Sequence, residues 1–96
     1  MVLNYKEILQ GVINQYGADM QETIAIEEMS ELQKEICKNK RGRDNKECIA
    51  EEIADVLICL DQLQMIFDIQ QLVDEWKRAK VWRIYKRLLE EAMRKV

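Results

Sequence analysis

Two short acidic motifs are the part of this sequence best suited to chemistry. Residues 27–31 read EEMSE and residues 51–55 read EEIAD. In a helix, side chains three positions apart lie on nearly the same face, so each motif presents a pair of carboxylates. Each pair also borders an apolar stripe, so packing the two stripes together would bring all four groups to the edge of one seam. These four residues are Glu28, Glu31, Glu52 and Asp55.

Four carboxylates in one place repel each other, so the arrangement needs a positive partner. A hard divalent cation that prefers oxygen, Mg²⁺ or Mn²⁺, fits this set, whereas zinc prefers nitrogen or sulfur ligands. Magnesium held by carboxylates usually keeps several waters and binds phosphates, which indicates nucleotide or pyrophosphate chemistry. Acidic pairs at this spacing are also common on solvated helix faces, so a purely structural role remains an alternative.

Composition narrows the function further. The 96 residues include no histidine, which excludes a Ser-His-Asp triad, a Cys-His pair and a histidine-ligated zinc. The net charge of −3 does not favour a nucleic-acid partner. Cys37, Cys48 and Cys59 form no C-x-x-C pair and are odd in number, which is typical of reduced thiols in a cytoplasmic protein. Neither a signal peptide nor a membrane-spanning run is expected, so no membrane partner is predicted.

Apolar periodicity predicts helices throughout the chain. The first helix is expected from about Asn4 to Tyr16, and the second from Asp19, as its N-cap, to about Lys38. The third is expected to start after Asp44 or Asn45. The segment from Ile69 to Val96 is either one long helix with local overwinding or two helices broken near residues 79–81.

These elements predict one all-α domain spanning residues 1–96. The expected architecture is an antiparallel bundle of four to five helices, completed by oligomerisation as a homodimer or homotetramer. Trp76 and Trp82 are expected at the interface between subunits, in preference to the alternative that they stack on a base.

The two motifs, extended to EEMSEL and EEIADVL, resemble the E-x-x-E … E-x-x-D signature of MazG-like nucleoside triphosphate pyrophosphohydrolases, in the all-α NTP pyrophosphatase superfamily. The resemblance covers roughly Tyr16 to Leu63. It implies magnesium-dependent cleavage between the α- and β-phosphates, with manganese as a possible substitute, giving a nucleoside monophosphate and pyrophosphate in nucleotide-pool house-cleaning. It also implies that the metal ligands are Glu28, Glu31, Glu52 and Asp55.

Further residues are expected to serve this reaction. Glu27 or Glu31 is expected to accept the proton of the attacking water, and the sequence leaves the choice between them open. Lys34 and Lys38 are expected to bind phosphate, and Gln21, following the family pattern, to reach the base or sugar.

Two other functions remain open. One is a non-catalytic helical assembly or regulatory module in which the acidic motifs are surface. The other lies within the same superfamily and is hydrolysis of phosphoribosyl-ATP.

Overall fold

The computed structural model describes residues 2–95 and contains four α-helices in that range, with no strand. Met1 and Val96 lie outside the described residues. Because the last predicted segment ends at Val96, its end also lies outside them. The helices are α1 (Tyr5–Tyr16), α2 (Ala18–Lys40), α3 (Lys46–Phe67) and α4 (Gln70–Arg94). The predicted all-α class and helical bundle are confirmed, with the lower of the two predicted numbers of helices.

The helix boundaries follow from local capping. The Asn4 side chain accepts a hydrogen bond of 2.8 Å from the Glu7 amide and caps α1. Gly17 ends α1 with a φ of 92°, and its amide donates to the Ile13 carbonyl. Because this one glycine completes the turn, α2 starts immediately after it. The prediction of Asp19 as N-cap was therefore wrong: Asp19 lies in the first turn of α2.

The core lies between α2 and α3, which run antiparallel. Glu35 of α2 is bonded to Asn45 at the start of α3, whereas Glu28, two turns earlier, lies beside Asp55, well inside α3. The buried apolar side chains of this seam are those of Ala25, Val56 and Cys59, and two glutamines are buried with them. The α2–α3 pair therefore positions both acidic motifs.

Helix α1 packs against α2 and α3 and completes a three-helix body. Its one buried side chain is Leu9. The Tyr5 hydroxyl donates a hydrogen bond of 2.6 Å to an Asp61 carboxylate oxygen on α3, which holds the start of α1 in place and raises the pKa of Tyr5.

Helix α4 continues without interruption from Gln70 to Arg94, so the alternative of two helices broken near residues 79–81 was wrong. It contacts only α3 among the helices, and none of its residues is buried. From Asp74 to Lys95 every residue except Ala79 is exposed. The three-helix body therefore carries a long helix that projects from it.

The projecting helix makes the chain extended. The radius of gyration is 17.8 Å, whereas a compact chain of this length has about 12.5 Å. The accessible surface is 8097 Å², against about 5,800 Å² for a typical folded monomer of this mass. Within the described residues, no helix has the length and apolar character needed to span a membrane.

Candidate metal centre

Three carboxylates from the two acidic motifs meet between α2 and α3. One oxygen each from Glu28, Glu52 and Asp55 lies within 4.8 Å of the other two, and all three side chains are half-buried. Oxygens around a magnesium ion, bound at about 2.1 Å, are roughly 3–4.2 Å apart. A small inward movement of the side chains would therefore bring the three oxygens to coordinating distance.

The packing of α2 against α3 explains why these groups converge. Ala25 lies one turn before Glu28 and is only 1% exposed, so its small side chain permits close approach of the two helices. On α3, Glu52 and Asp55 flank the buried Val56. Each carboxylate thus sits at the border of the apolar core, as the sequence pattern predicts.

Burial and neighbouring negative charges raise the pKa of two groups at the cluster, Glu28 and Cys59. The pKa of Glu28 is raised, first by burial and then by the neighbouring charges of Asp55 and Glu52. The same environment reaches Cys59, whose thiol pKa is raised by burial and by the charges of Glu28 and Asp55. The raised pKa of Glu28 therefore reflects a partly dry position beside two other carboxylates.

Glu52 has an additional property that singles it out. Its Oε2 atom is inaccessible to solvent and has no hydrogen-bond partner. Leaving a buried polar atom unpaired is costly, more so for a charged group. The oxygen is therefore placed where a proton or a cation would satisfy it.

The fourth predicted ligand, Glu31, is not part of the three-residue group. Its side chain is half exposed, and one carboxylate oxygen lies 3.8 Å from the Lys34 ammonium. Glu27, the other predicted proton acceptor, is exposed and lies on a different face of α2 from Glu28. The i,i+3 spacing places Glu31 on nearly the same face of α2 as Glu28. Helix α3, however, packs against the side of Glu28 on which Ala25 lies, and Glu31 lies on the opposite side of Glu28.

The predicted substrate-binding residues lie in three different environments. Gln21 is 4% exposed and lies in the helix seam, two turns before Glu28. Lys34 is exposed and paired with Glu31, whereas Lys38 is half-buried and its ammonium lies 3.2 Å from a Glu35 carboxylate oxygen. Lys38 follows Glu28 by ten residues, about 15 Å along the helix, so Lys34 is the nearer of the two lysines.

A polar cluster that the sequence did not reveal closes the α2–α3 connection. The buried Asn45 amide donates hydrogen bonds of 2.9 Å to the Glu35 carbonyl and 2.7 Å to its carboxylate. Asn39 donates to the Asn45 side-chain oxygen at 3.2 Å. The bond from Asn45, and then the proximity of Lys38, lowers the pKa of Glu35. Sequence inspection identified Asn45 only as a possible start of α3, because nothing local indicates a bond ten residues away.

The chain matches no family model, and no curated protein or solved structure matches it. The resemblance of the two acidic motifs to the MazG-like signature thus stays a prediction from the sequence, to be weighed with the geometry of the carboxylates.

Proposed function

We propose that this protein is a magnesium-dependent nucleoside triphosphate pyrophosphohydrolase that cleaves the bond between the α- and β-phosphates. The observation that carries the proposal is the meeting of Glu28, Glu52 and Asp55, with one buried Glu52 oxygen lacking a partner. The resemblance of the two motifs to MazG-like enzymes supplies the reaction. A cytoplasmic location and a role in nucleotide-pool house-cleaning belong to the same proposal.

The donor set suits magnesium or manganese. All three groups are carboxylates, with no imidazole in the chain, and the charges of Glu28 and Asp55 contribute to the raised thiol pKa of Cys59. Oxygen ligands of this kind select hard cations and leave positions for water and phosphate. When bound, such an ion neutralises phosphate charge and lowers the pKa of a coordinated water.

The side chains around the cluster have distinct roles in this proposal. Glu28, Glu52 and Asp55 hold the cation. Glu31, one turn further along α2 and half exposed, accepts the proton of the attacking water; we prefer it to Glu27, which lies about 100° around the helix from Glu28. Lys34, now paired with Glu31, is the cation best placed to contact phosphate, and the basic Lys38 lies further along the same helix.

The decisive experiment measures product identity. A panel of nucleoside and deoxynucleoside triphosphates is incubated with the protein and magnesium, and pyrophosphate and orthophosphate are quantified separately. Pyrophosphate and a nucleoside monophosphate are the expected products. Orthophosphate as the direct product would indicate cleavage of a different bond and contradict the proposal, as would the absence of hydrolysis across the panel. Phosphoribosyl-ATP is included because it is the alternative substrate within the superfamily.

Variants link any activity to the cluster. Glu52→Gln and Asp55→Asn are expected to lower activity by at least about 100-fold, since even partners of metal ligands contribute up to that factor. Glu51→Gln is the matched control because it removes the same charge from an exposed position next to Glu52. Equal losses in the control and the cluster variants would contradict the assigned site.

Metal binding can be measured without substrate. Magnesium at ten times its dissociation constant would stabilise the fold by about 1.4 kcal/mol, which raises Tm by several degrees in a domain of this size. Glu52→Gln is expected to abolish this gain. A Tm that ignores millimolar magnesium and manganese would favour the second candidate function, a non-catalytic assembly or regulatory module.

Exposed apolar residues favour self-association under either function. On α3, Ile53, Leu57 and Phe67 are exposed along one side, and α4 has no buried residue. We propose a homo-oligomer, either dimer or tetramer, in which these surfaces are covered. Trp76 and Trp82 on α4, both about half exposed, are available to such an interface.

A further inference from the structure

The apolar residues of α4 occupy two different faces. In the first half, Leu72 and Trp76 lie on one side of the helix, and Val73 and Ala79 are its half-buried apolar residues. After residue 80 the apolar residues shift by nearly half a turn around the helix. The second face, here called the C-terminal face, consists of Val81, Ile84, Tyr85, Leu88, Leu89 and Met93. A straight helix cannot turn both faces toward its own body.

No other part of residues 2–95 covers the C-terminal face. Leu88 is 64% exposed and Met93 is 76% exposed. Trp82, on the edge of this face, packs only against its own helix, with its ring 5.6 Å from that of Tyr85 and 6.0 Å from the Lys86 ammonium. An exposed apolar strip of this size marks an interaction surface.

The amount of exposed surface indicates a large partner. The chain exposes 8097 Å², about 2,300 Å² more than a typical monomer of its mass. A stable protein–protein interface covers about 800 Å² on each partner. The excess is therefore sufficient for a complete interface, and a second copy of the same chain carries an identical apolar strip to fill it.

Charges along α4 select the direction of pairing. Lys77 and Glu91 flank the C-terminal face on the same edge, and each lies seven residues, or about two turns, from Ile84. In a parallel pair, the two-fold axis would run along the helices and place this edge of one copy on the opposite side of the contact from the same edge of the other, so Lys77 and Glu91 would not meet across it. In an antiparallel pair with the two-fold axis at Ile84, each Lys77 lies beside Glu91 of the other copy.

We propose that two copies of this chain associate through the C-terminal face of α4, packed antiparallel about a two-fold axis near Ile84. Leu88 of each copy then lies close to Val81 of the other, and the contact is the same patch on both subunits. The basic side chains on the opposite side of α4, such as Arg83, stay in solvent. The pairing specifies one interface of the homo-oligomer proposed above and does not depend on the hydrolase activity.

The first test measures mass by light scattering. The wild-type protein is expected to have at least twice the 11.4 kDa mass of the chain. Leu88→Glu is expected to halve the measured mass, because it places a charge in the centre of the interface. Arg83→Glu, on the opposite side of the same helix, is the matched control and is expected to leave the mass unchanged. Circular dichroism verifies that each variant keeps its helical content.

The second test addresses direction and uses exposed residues whose substitution leaves the fold intact. Lys77→Glu and Glu91→Lys are each expected to weaken association by about 10-fold, since each disturbs two symmetry-related pairs. The double variant carrying both substitutions is expected to recover wild-type affinity, because the pairs are restored with reversed signs. In a parallel pair these edges lie apart, so neither single substitution would weaken association in this way and the double variant would have no loss to recover. That result would overturn the antiparallel arrangement.

Other occupants of the face give different results. A wild-type protein that is monomeric at all concentrations overturns the proposal. So does a monomer that co-sediments with phosphatidylserine vesicles, because the basic helix would then cover its apolar face with lipid. An oligomer whose mass does not respond to Leu88→Glu also overturns the pairing, while leaving intact the broader proposal that the chain self-associates through another surface such as α3.

Discussion

Glu52 combines a buried carboxylate oxygen with the lack of a hydrogen-bond partner. Its Oε2 atom is buried and unpartnered, and two other carboxylates lie within 4.8 Å. A buried charge without a partner destabilises the fold, and further negative charges increase that cost. The arrangement is costly in the isolated chain, and under the proposed function a bound cation would offset that cost.

The cost of placing these carboxylates together can be measured through the effect of Glu28 on stability. Its pKa is raised above the ordinary value of 4.5, so at pH values between the unfolded-state and folded-state pKa the folded state holds more protons than the unfolded state. The stabilising contribution is present below pH 4.5 and is lost as pH rises through the folded-state pKa. With a chelator present, Glu28→Gln is therefore expected to raise Tm relative to wild type at neutral pH, with the difference shrinking as pH falls to 4.5.

The control for this experiment is Glu27→Gln, which removes one negative charge from an exposed position beside Glu28. It is expected to leave Tm at neutral pH close to that of wild type, so that the gain expected of Glu28→Gln is absent. A Glu28→Gln variant that is less stable than wild type at neutral pH would contradict the electrostatic description of the cluster.

The α2–α3 pair positions the carboxylate cluster, and the connection between the two helices fixes their register. Asn45 is the central residue of this connection, because it joins the start of α3 to the backbone and side chain of Glu35 on α2. The carboxylate cluster lies two turns away along α2. A change in the register of α3 would separate Glu52 and Asp55 from Glu28.

Asn45→Ala is expected to destabilise the protein, because it leaves the Glu35 carbonyl and the Asn39 amide without their partner. The loss should lower Tm by at least about 4 °C, the smallest shift that 1 kcal/mol produces in a domain of this size. Asp44→Ala, at the exposed preceding position, is the control and is expected to change Tm little. A similar loss in both variants would show that Asn45 has no special role.

The helices were predictable because their signals are local. Apolar periodicity and the caps at Asn4 and Gly17 lie within a few residues of the boundaries they define. The convergence of Glu28 with Glu52 and Asp55 was also predictable, since both motifs border the stripes that pack together. The position of Glu31 was not, because the spacing rule gives only its approximate face, and the contact line between α2 and α3 decides which side of that face is covered.

The environment of helix α4 was likewise not predictable from local sequence signals. Its continuity past residues 79–81 follows from strong helix-forming residues and the absence of proline and glycine there. The shift in its apolar residues was visible in the sequence, where it allowed either a break or a continuous helix. The structural consequence of this shift depends on whether one chain can cover both apolar faces of α4. That is a property of the whole molecule.

The whole molecule separates its charges between body and projecting helix. Residues 1–69 carry 14 acidic and 7 basic side chains, whereas residues 70–96 carry 4 acidic and 8 basic ones. The body also has few buried apolar residues, with Leu9, Ala25, Val56 and Cys59 as the buried apolar members of the described chain. A core this small supplies limited stability, so association should contribute a large part of it.

Thermal unfolding is therefore expected to depend on protein concentration. When folding is coupled to dimerisation, a 100-fold dilution destabilises the dimer by about 2.8 kcal/mol, since each tenfold change in concentration contributes about 1.4 kcal/mol. Tm measured by circular dichroism should fall by several degrees over that dilution. Leu88→Glu is expected to have a lower Tm that varies less with concentration, while Arg83→Glu retains the wild-type dependence. A wild-type Tm independent of concentration would contradict this coupling, because the exposed faces of α3 and α4 would then contribute nothing to stability.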